Sequence, residues 1–405
     1  DAPLEPQTPP AAEPATPGEP EKPARPTAVS LGLLPVDLAV EAVGKGTDVY
    51  LFLFGMMLLS EVGRREGLFD WVAVFAVNHA KGSPRKLFLL VYLVGVVITA
   101  FLSNDATAVV LTPAVFAAAK KAKTHPLPLL FVCAFIANAA SFVLPISNPA
   151  NIVLYGNHTP ALGAWLLRFT LPSLLSIVAT YLLLRWTQRE ALAGTCEADL
   201  EPVPLSSSGR VALGGIAVTA VVLLTVSAFD VPLGLPTAIL GALTALVVLI
   251  QERKSPLPMI REISWSVLPL VAGLFVLVEM LDHTGVIRTF ANLLQDATRH
   301  NEFSTAAWAG SVIAIGSNLM NNLPAGLIAS STVMQAHSPE RVIDALLIGV
   351  VLGPNLSITG SLATILWLNA IRREGEDVSF MKFLKVGVVV MVPALALALA
   401  ARILI

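Results

Sequence analysis

Apolar runs long enough to cross a lipid bilayer are the feature that most limits what this chain can fold into. They recur at Lys86–Leu102, Arg210–Phe229, Leu233–Ile250, Val267–Leu281 and Phe383–Ile403. In lipid, only helices and closed barrels satisfy their backbone hydrogen bonds internally, and a helix needs about 20 apolar residues to span. Only 13% of the 405 residues are charged, against about 25% in soluble domains. The sequence therefore predicts an all-α polytopic membrane protein and argues against a soluble enzyme or a nucleic-acid-binding protein.

Composition and polar loops divide the chain into four parts. Residues 1–26 contain nine prolines, which is typical of a disordered tail. A weakly apolar segment follows, and the first predicted span begins after it. The predicted organisation is a Pro-rich tail with a weak N-terminal segment, a first repeat, a cytoplasmic linker and a second repeat, at residues 1–46, 47–186, 187–209 and 210–405.

A polar triplet, Ser103-Asn104-Asp105, interrupts two apolar halves, Lys86–Leu102 and Ala106–Ala119. Lysine and arginine cluster at both outer ends of this pair. Because basic loops are retained in the cytoplasm, both ends are expected on the cytoplasmic side. A segment that enters and leaves on one side is a re-entrant helical hairpin, with Asn104 at its tip.

The second half of the chain repeats these features in the same order. A second apolar pair, Thr305–Gly316 and Leu323–Val333, surrounds residues 317–322, and broken helices are predicted around residues 145–151 and 353–360. Ser317-Asn318 matches the tip of the first hairpin, and Glu279 and Gly285 match Glu61 and Gly67.

The distribution of basic residues orients these repeats. Of 26 Lys and Arg residues, only Lys45, Arg288, Arg299 and Arg341 fall in loops assigned to the outside. The second hairpin then opens from the outside, so the two repeats are inverted. Inverted repeats with a re-entrant hairpin and a broken transmembrane helix in each are typical of secondary transporters that hold substrate near the midplane.

The four breaks carry the candidate substrate-binding residues. Helices restarting there would point unpaired backbone N–H groups at one central point. Amides and hydroxyls around them suit a small hydroxylated solute, neutral or weakly anionic, although helix capping is the alternative role for each. The candidates are Asn104, Asp105, Ser147, Asn148, Asn151, Asn318, Asn321, Asn322, Thr359, Gly360 and Ser361.

Asp105 is the only carboxylate in the four breaks. A charged group at membrane depth is costly and calls for a reason. Two roles would explain it. Asp105 could take up the coupling proton, or it could be the N-cap of the half-helix that follows, and the two roles do not exclude each other. Glu61 and Glu279 lie at the ends of spans and are expected to face the membrane interface.

Other kinds of site find little support in the sequence. Cys133 and Cys196 form no metal-binding spacing, the six histidines are scattered, and no HExxH or GxSxG motif occurs. The sequence therefore predicts neither an enzyme nor a metal site, and no cofactor is expected.

Four stretches are similar to the ArsB-type arsenite efflux permeases of the ion transporter superfamily. They are SNDATAVVLTPAVF (103–116), FIANAASFVLPISNPANIV (135–153), SNLMNNLPAGL (317–327) and LGPNLSITGSLATILWL (352–368). The resemblance implies extrusion of arsenite and antimonite across the cell inner membrane against entering protons. It also implies functional roles for the candidate residues above, apart from Thr359.

The chain departs from that family at two positions. Asn138 stands where the family often has an acid, and Asn355 stands where it often has lysine. The coupling ion is therefore open, and the alternative is a sodium- or proton-coupled anion or dicarboxylate transporter of the same superfamily. A cytoplasmic ATPase subunit is also an open partner, since this chain has no P-loop motif.

Overall fold

A computed structural model describes residues 34–197, 200–201, 204–229 and 231–405. Every regular element in these ranges is a helix. Five of the described helices are long and apolar enough to cross a membrane, or seven spans if two bent helix pairs are included. The predicted class, an all-α polytopic membrane protein, is confirmed.

The first half contains three helices of 18 residues or more, several shorter ones and a hairpin. Within the described residues, helices α1 to α9 are Val36–Lys45, Thr47–Arg65, Leu68–Ala80, Pro84–Phe101, Asn104–Ala106, Thr112–Lys121, Pro126–Ala139, Pro149–Tyr155 and Leu162–Thr187. A π-helical turn, Thr107–Leu111, joins α5 to α6. Hairpin 1 is therefore α4 followed by α5, the π turn and α6.

The second half begins with two long helices that have no counterpart among the described residues of the first, and then repeats its series. Helices α10 to α19 are Ser207–Ala228, Gly234–Glu252, Leu257–Glu262, Val267–His283, Val286–His300, Glu302–Met320, Asn322–Ala336, Glu340–Leu352, Leu362–Arg373 and Phe380–Leu404. Hairpin 2 is α15 and α16. The broken helices are α7 with α8 in the first half and α17 with α18 in the second.

The matched glycines of the two halves adopt the same backbone conformation. Gly67, between α2 and α3, has φ of 71°, and Gly285, between α13 and α14, has φ of 83°. Glycine reaches this left-handed region without the cost that a Cβ imposes. Both glycines therefore turn a span into the helix that leads to its hairpin.

Each hairpin packs against the broken helix of the other repeat. The π turn and α6 of hairpin 1 contact α18, and α16 of hairpin 2 contacts α8. The last helices of the two repeats, α9 and α19, pack along each other. This exchange brings the second half of each broken helix beside the hairpin of the other repeat.

The predicted boundaries are accurate in most places. The predicted stretch Leu68–Ala80 is α3, with the same ends. The Pro-rich tail lies outside the described residues, and the weakly apolar segment that follows it includes the helix α1.

Candidate functional site

A cavity of about 570 Å³ reaches the tip of hairpin 1. Ser103 and Asp105 line it, together with Pro149 at the start of α8 and Leu362 at the start of α18. Its charged lining residues at the other end include Arg64, Glu262 and Arg373, which lie at or next to the ends of α2, α12 and α18. We call this space the inner cavity. The beginnings of α5, α8 and α18 therefore meet at one cavity. They are three of the four helix starts that the sequence predicts near one point.

Ser103 begins the second arm of hairpin 1. Its backbone is extended, with φ of −179°, and its Oγ accepts a hydrogen bond from Ala106 N at 3.1 Å. Ser103 is therefore the N-cap, and the reading of Asp105 as the cap is wrong. The cap satisfies a backbone donor that would otherwise lack a partner inside the membrane.

The carboxylate of Asp105 is free to interact with the contents of the inner cavity. Among the described residues, none forms a hydrogen bond or an ion pair with it. Asp105 is half-buried and lies in the first turn of the helix, where the exposed N–H groups favour negative charge.

Asn104, beside Asp105, is 3% exposed, and its Oδ1 has no hydrogen-bond partner among the described residues. Buried polar atoms are nearly always bonded, so an unpaired one invites a functional explanation. Hairpin 1 then continues through the π turn Thr107–Leu111. Such turns are common at functional sites, and this one keeps the tip from continuing as a regular α-helix.

The side chains of the first break are largely used to hold the break itself. Asn151 Nδ2 lies within hydrogen-bond distance of three carbonyl oxygens, those of Ser141 at 2.8 Å, Leu144 at 3.1 Å and Pro145 at 3.3 Å. These bonds stabilise the turn of chain that two prolines impose between α7 and α8.

Asn148 and Ser147 have similar structural roles. Asn148 caps α8, since its Oδ1 accepts from Ala150 N at 2.9 Å. Ser147 Oγ donates to Ala100 O at 2.9 Å, which ties the first break to hairpin 1. The capping alternative therefore accounts for the contacts of Asn148, although both residues remain candidates for binding.

The tip of hairpin 2 bonds to the second break. Asn318 Oδ1 accepts from Ser357 Oγ at 2.8 Å, and Thr359 Oγ1 donates to Asn318 O at 3.0 Å. Asn322 N donates to Gly360 O at 2.9 Å. These residues come together as predicted, but they lie outside the lining of the inner cavity.

Asn321 and Ser361 act as N-caps at the second hairpin and the second break. Asn321 Oδ1 accepts from Leu323 N at 3.3 Å, and Ser361 Oγ accepts from Thr364 N at 3.1 Å. Ser361 is fully buried and precedes Leu362, which lines the inner cavity. The second break therefore connects the tip of hairpin 2 to the cavity beside hairpin 1.

Glu61 was expected to face the membrane interface, but it faces the inner cavity instead. It is 8% exposed, lines the inner cavity and accepts hydrogen bonds from Arg64 at 2.8 Å and from Arg65 at 2.7 Å. Its partner in the repeat, Glu279, pairs with Lys45 at 2.8 Å. Both glutamates can lie partly buried because each pairs with basic residues at the end of a helix.

Sequence reasoning also missed a buried ion pair between Asp344 and Arg402. The signal was available, because Asp344 in α17 and Arg402 in α19 are each ionisable residues followed or preceded by apolar runs. Ionisable residues inside membrane helices are rare and usually paired.

Known proteins resemble this chain over most of its length. A profile of the citrate transporter family, CitMHS, matches residues 21–353. The arsenical pump membrane protein of Escherichia coli is 25% identical over 385 residues, which cover 92% of this chain and 89% of that protein. A Mycobacterium tuberculosis protein described as an uncharacterized transporter is 27% identical over 365 residues, covering 86% of this chain and 84% of that protein.

Two solved structures share the fold. The YdaH transporter of Alcanivorax borkumensis matches with a TM-score of 0.58 and 15% identity, covering 91% of this chain and 87% of that protein. MtrF of Neisseria gonorrhoeae matches with a TM-score of 0.52 and 16% identity, covering 91% and 82%. Taken with the helices, hairpins and breaks described above, the family match identifies this chain as a multi-pass membrane transporter that belongs to the citrate transporter family, CitMHS.

Proposed function

We propose that this transporter extrudes arsenite and antimonite across the bacterial inner membrane by alternating access. The observation that carries the proposal is the inner cavity, which leads from charged residues at the ends of α2, α12 and α18 to Ser103, Asp105 and the beginnings of α8 and α18. The similarity to arsenical pump membrane proteins over about nine-tenths of both chains supports the choice of substrate.

The chemistry of the inner cavity suits arsenous acid. This solute is largely un-ionised near neutral pH and carries three hydroxyl groups, which backbone N–H groups, a serine and a carboxylate can bind. Thiol capture would need two or three cysteines close together. Cys133 is buried in α7 and Cys196 lies in the linker, and both are free thiols.

Coupling to protons rests on Asp105. Its carboxylate has no partner among the described residues and faces the inner cavity, so protonation changes the charge that the cavity presents to the substrate. Glu61 lines the same cavity, but two arginines already neutralise it. Exchange of a proton for a neutral solute at Asp105 is therefore the proposed antiport step.

A carboxylate carrier is the second candidate, because the family profile is that of a citrate transporter. Such a carrier needs cations for its substrate, and Arg64 and Arg373 line the inner cavity. Arg64, however, is paired with Glu61 and Glu262, and Glu374 lies next to Arg373. The net charge of the cavity wall therefore favours a neutral substrate.

Everted membrane vesicles separate these candidates. Arsenite accumulation is measured with the proton gradient collapsed in one sample and the sodium gradient collapsed in another, and citrate accumulation is measured in parallel. We expect arsenite accumulation that only the proton gradient drives. Accumulation of citrate without arsenite would replace the proposed substrate, and loss of arsenite accumulation on collapsing sodium alone would replace the coupling ion.

A further inference from the structure

A second cavity, of about 610 Å³, lies at the other end of α8 from the inner cavity. Leu154 and Tyr155, the last residues of α8, line it, whereas Pro149, the first residue, lines the inner cavity. Its wall also includes His337 and Ser338, from the loop that charge distribution places outside. We call this space the outer cavity.

Helix α8 reaches from one of these spaces to the other. Helix α8 has seven residues, so at about 1.5 Å per residue it is roughly 10 Å long. What holds its outer end in place therefore also fixes an element that the walls of both cavities share.

The outer end of α8 is held by a buried carboxylate. The hydroxyl of Tyr155 donates a hydrogen bond to Asp344 Oδ1 on α17. Arg402 Nε, on α19, donates to Asp344 Oδ2 at 2.6 Å. Asp344 is 0% exposed and Arg402 is 7% exposed. The contact joins the outer ends of both broken helices to one of the long helices that pack beside them.

Arg168, on α9, can serve two carboxylates. Its Nη2 lies 2.5 Å from Glu340 Oε1, and its Nη1 lies 3.8 Å from Asp344 Oδ1, the same oxygen that Tyr155 contacts. The side chain of Glu340 is 68% exposed, so water can replace Arg168 there. Asp344 has no such access to water.

Stability alone does not explain this arrangement. A buried ion pair is often no more stable than apolar residues of the same volume, because desolvation offsets the attraction. Tyr155 and Arg168 both approach Asp344 Oδ1, so Arg168 can keep the buried carboxylate partnered when Tyr155 leaves it, and the network has two arrangements. Two discrete arrangements of one network are what a gate requires.

We infer that Tyr155, Asp344, Arg402 and Arg168 form the outer gate, an inference that rests on the proposed transport by alternating access. While Tyr155 is bonded to Asp344, the outer end of α8 is held against α17 and the path between the cavities is closed. When the gate opens, Tyr155 leaves Asp344, and Arg168 moves from Glu340 to the vacated oxygen. Tyr155 and Arg168 are thus positioning residues with opposite effects.

The test measures access to the inner cavity from outside, without any transported substrate. In a chain lacking both native cysteines, a Val109→Cys substitution places a reporter thiol in the lining of the inner cavity. A membrane-impermeant maleimide is added to intact cells, and the labelling rate is compared among gate variants. Labelling in everted vesicles shows that each variant is inserted and folded.

The gate variants are expected to shift this rate in opposite directions. Tyr155→Phe keeps the ring and removes the hydroxyl, and it should raise outside labelling roughly tenfold, the factor typical of a hydrogen bond to a charged group. Glu340→Gln releases Arg168 toward Asp344 and should also raise it. Arg168→Gln should lower it. A merely structural role would not give opposite signs.

Tyr50→Phe is the matched control, since the buried Tyr50 hydroxyl has no hydrogen-bond partner among the described residues. Its outside labelling should equal that of the parent. Outside labelling of Tyr155→Phe at the parent rate, with normal labelling in everted vesicles, would overturn the gate. Failure to transport arsenite would contradict the proposed substrate and leave the labelling result unaffected.

Discussion

Asn138 Nδ2 donates a 2.9 Å hydrogen bond to Asn355 Oδ1. Asn355 Nδ2 in turn donates to Phe135 O at 3.0 Å, and both asparagines are almost completely buried. The bond joins the two broken helices near their breaks. These are the two positions at which the sequence departs from the acid and the lysine frequent in the resembling permeases, so the two departures are partners of each other.

A charge substitution tests that partnership. Asn138→Asp alone buries a carboxylate beside a neutral amide and should reduce the free energy of unfolding by about 3–5 kcal/mol. Adding Asn355→Lys supplies the opposite charge within reach and should recover most of that loss. Thermal unfolding in detergent measures both variants. A double variant no more stable than Asn138→Asp would contradict the expected pairing.

Asp105→Asn tests proton coupling. The amide has the shape of the carboxylate but does not titrate at physiological pH, and the N-cap at Ser103 is untouched. We expect the variant to lose pH-driven arsenite accumulation in everted vesicles and to retain exchange of internal for external arsenite. Asp70→Asn, at an exposed position in α3, is the control and should behave as the parent. Full proton-driven accumulation by Asp105→Asn would remove Asp105 from the coupling step.

The matched hairpin asparagines should respond differently to alanine. Asn318 Nδ2 donates to Ala314 O at 2.7 Å and to Gly353 O at 2.9 Å, so Asn318→Ala should reduce the free energy of unfolding by about 1–3 kcal/mol. Asn104 has an unpaired Oδ1, so Asn104→Ala should reduce arsenite transport with a smaller loss of stability. Unchanged transport in Asn104→Ala would contradict its contact with substrate.

Position 360 has no room for a Cβ atom, which explains why a glycine stands there. A Cβ there would lie 2.5 Å from Pro354 Cα and 2.7 Å from Asn318 Oδ1. Gly360→Ala should therefore separate the second break from hairpin 2 and reduce stability by about 1–3 kcal/mol. Gly316→Ala, in hairpin 2 with open space around it, is the control and should unfold no earlier than the parent. Equal stability of the two variants would show that the break can move aside.

Removal of both thiols should leave transport intact. Cys133→Ala with Cys196→Ser deletes the two cysteines in the chain, and hydroxyl and amide groups are expected to bind the substrate instead. Arsenite accumulation in everted vesicles, normalised to the amount of inserted protein, measures the effect. Complete loss at a normal protein level would make a thiol part of the site.

Periodic and compositional signals located most of the helices. Long apolar runs predict spans because the bilayer sets the length of a helix that crosses it. The same reasoning located the tip of hairpin 1 at Asn104, but α15 continues through Asn318 to Met320, so hairpin 2 turns three residues later, at Asn321. The candidate residues near each break were chosen in this way, and the structure places Asn318 and Thr359 in contact, while their role in binding stays a prediction.

Some polar side chains stabilise a helix end or a break, and others line a cavity. The tertiary structure decides which role each has, through contacts between residues far apart in the sequence. Ser103 rather than Asp105 caps its helix because of the extended backbone at the tip, and this leaves the carboxylate in the inner cavity. Tyr155 meets Asp344 across 189 positions of sequence, through the exchange of helices between repeats. Local sequence sets helix length and breaks through propensity and hydrophobicity. The pairing of buried charges depends on which helices pack together, because a buried charge needs a partner wherever the fold supplies one.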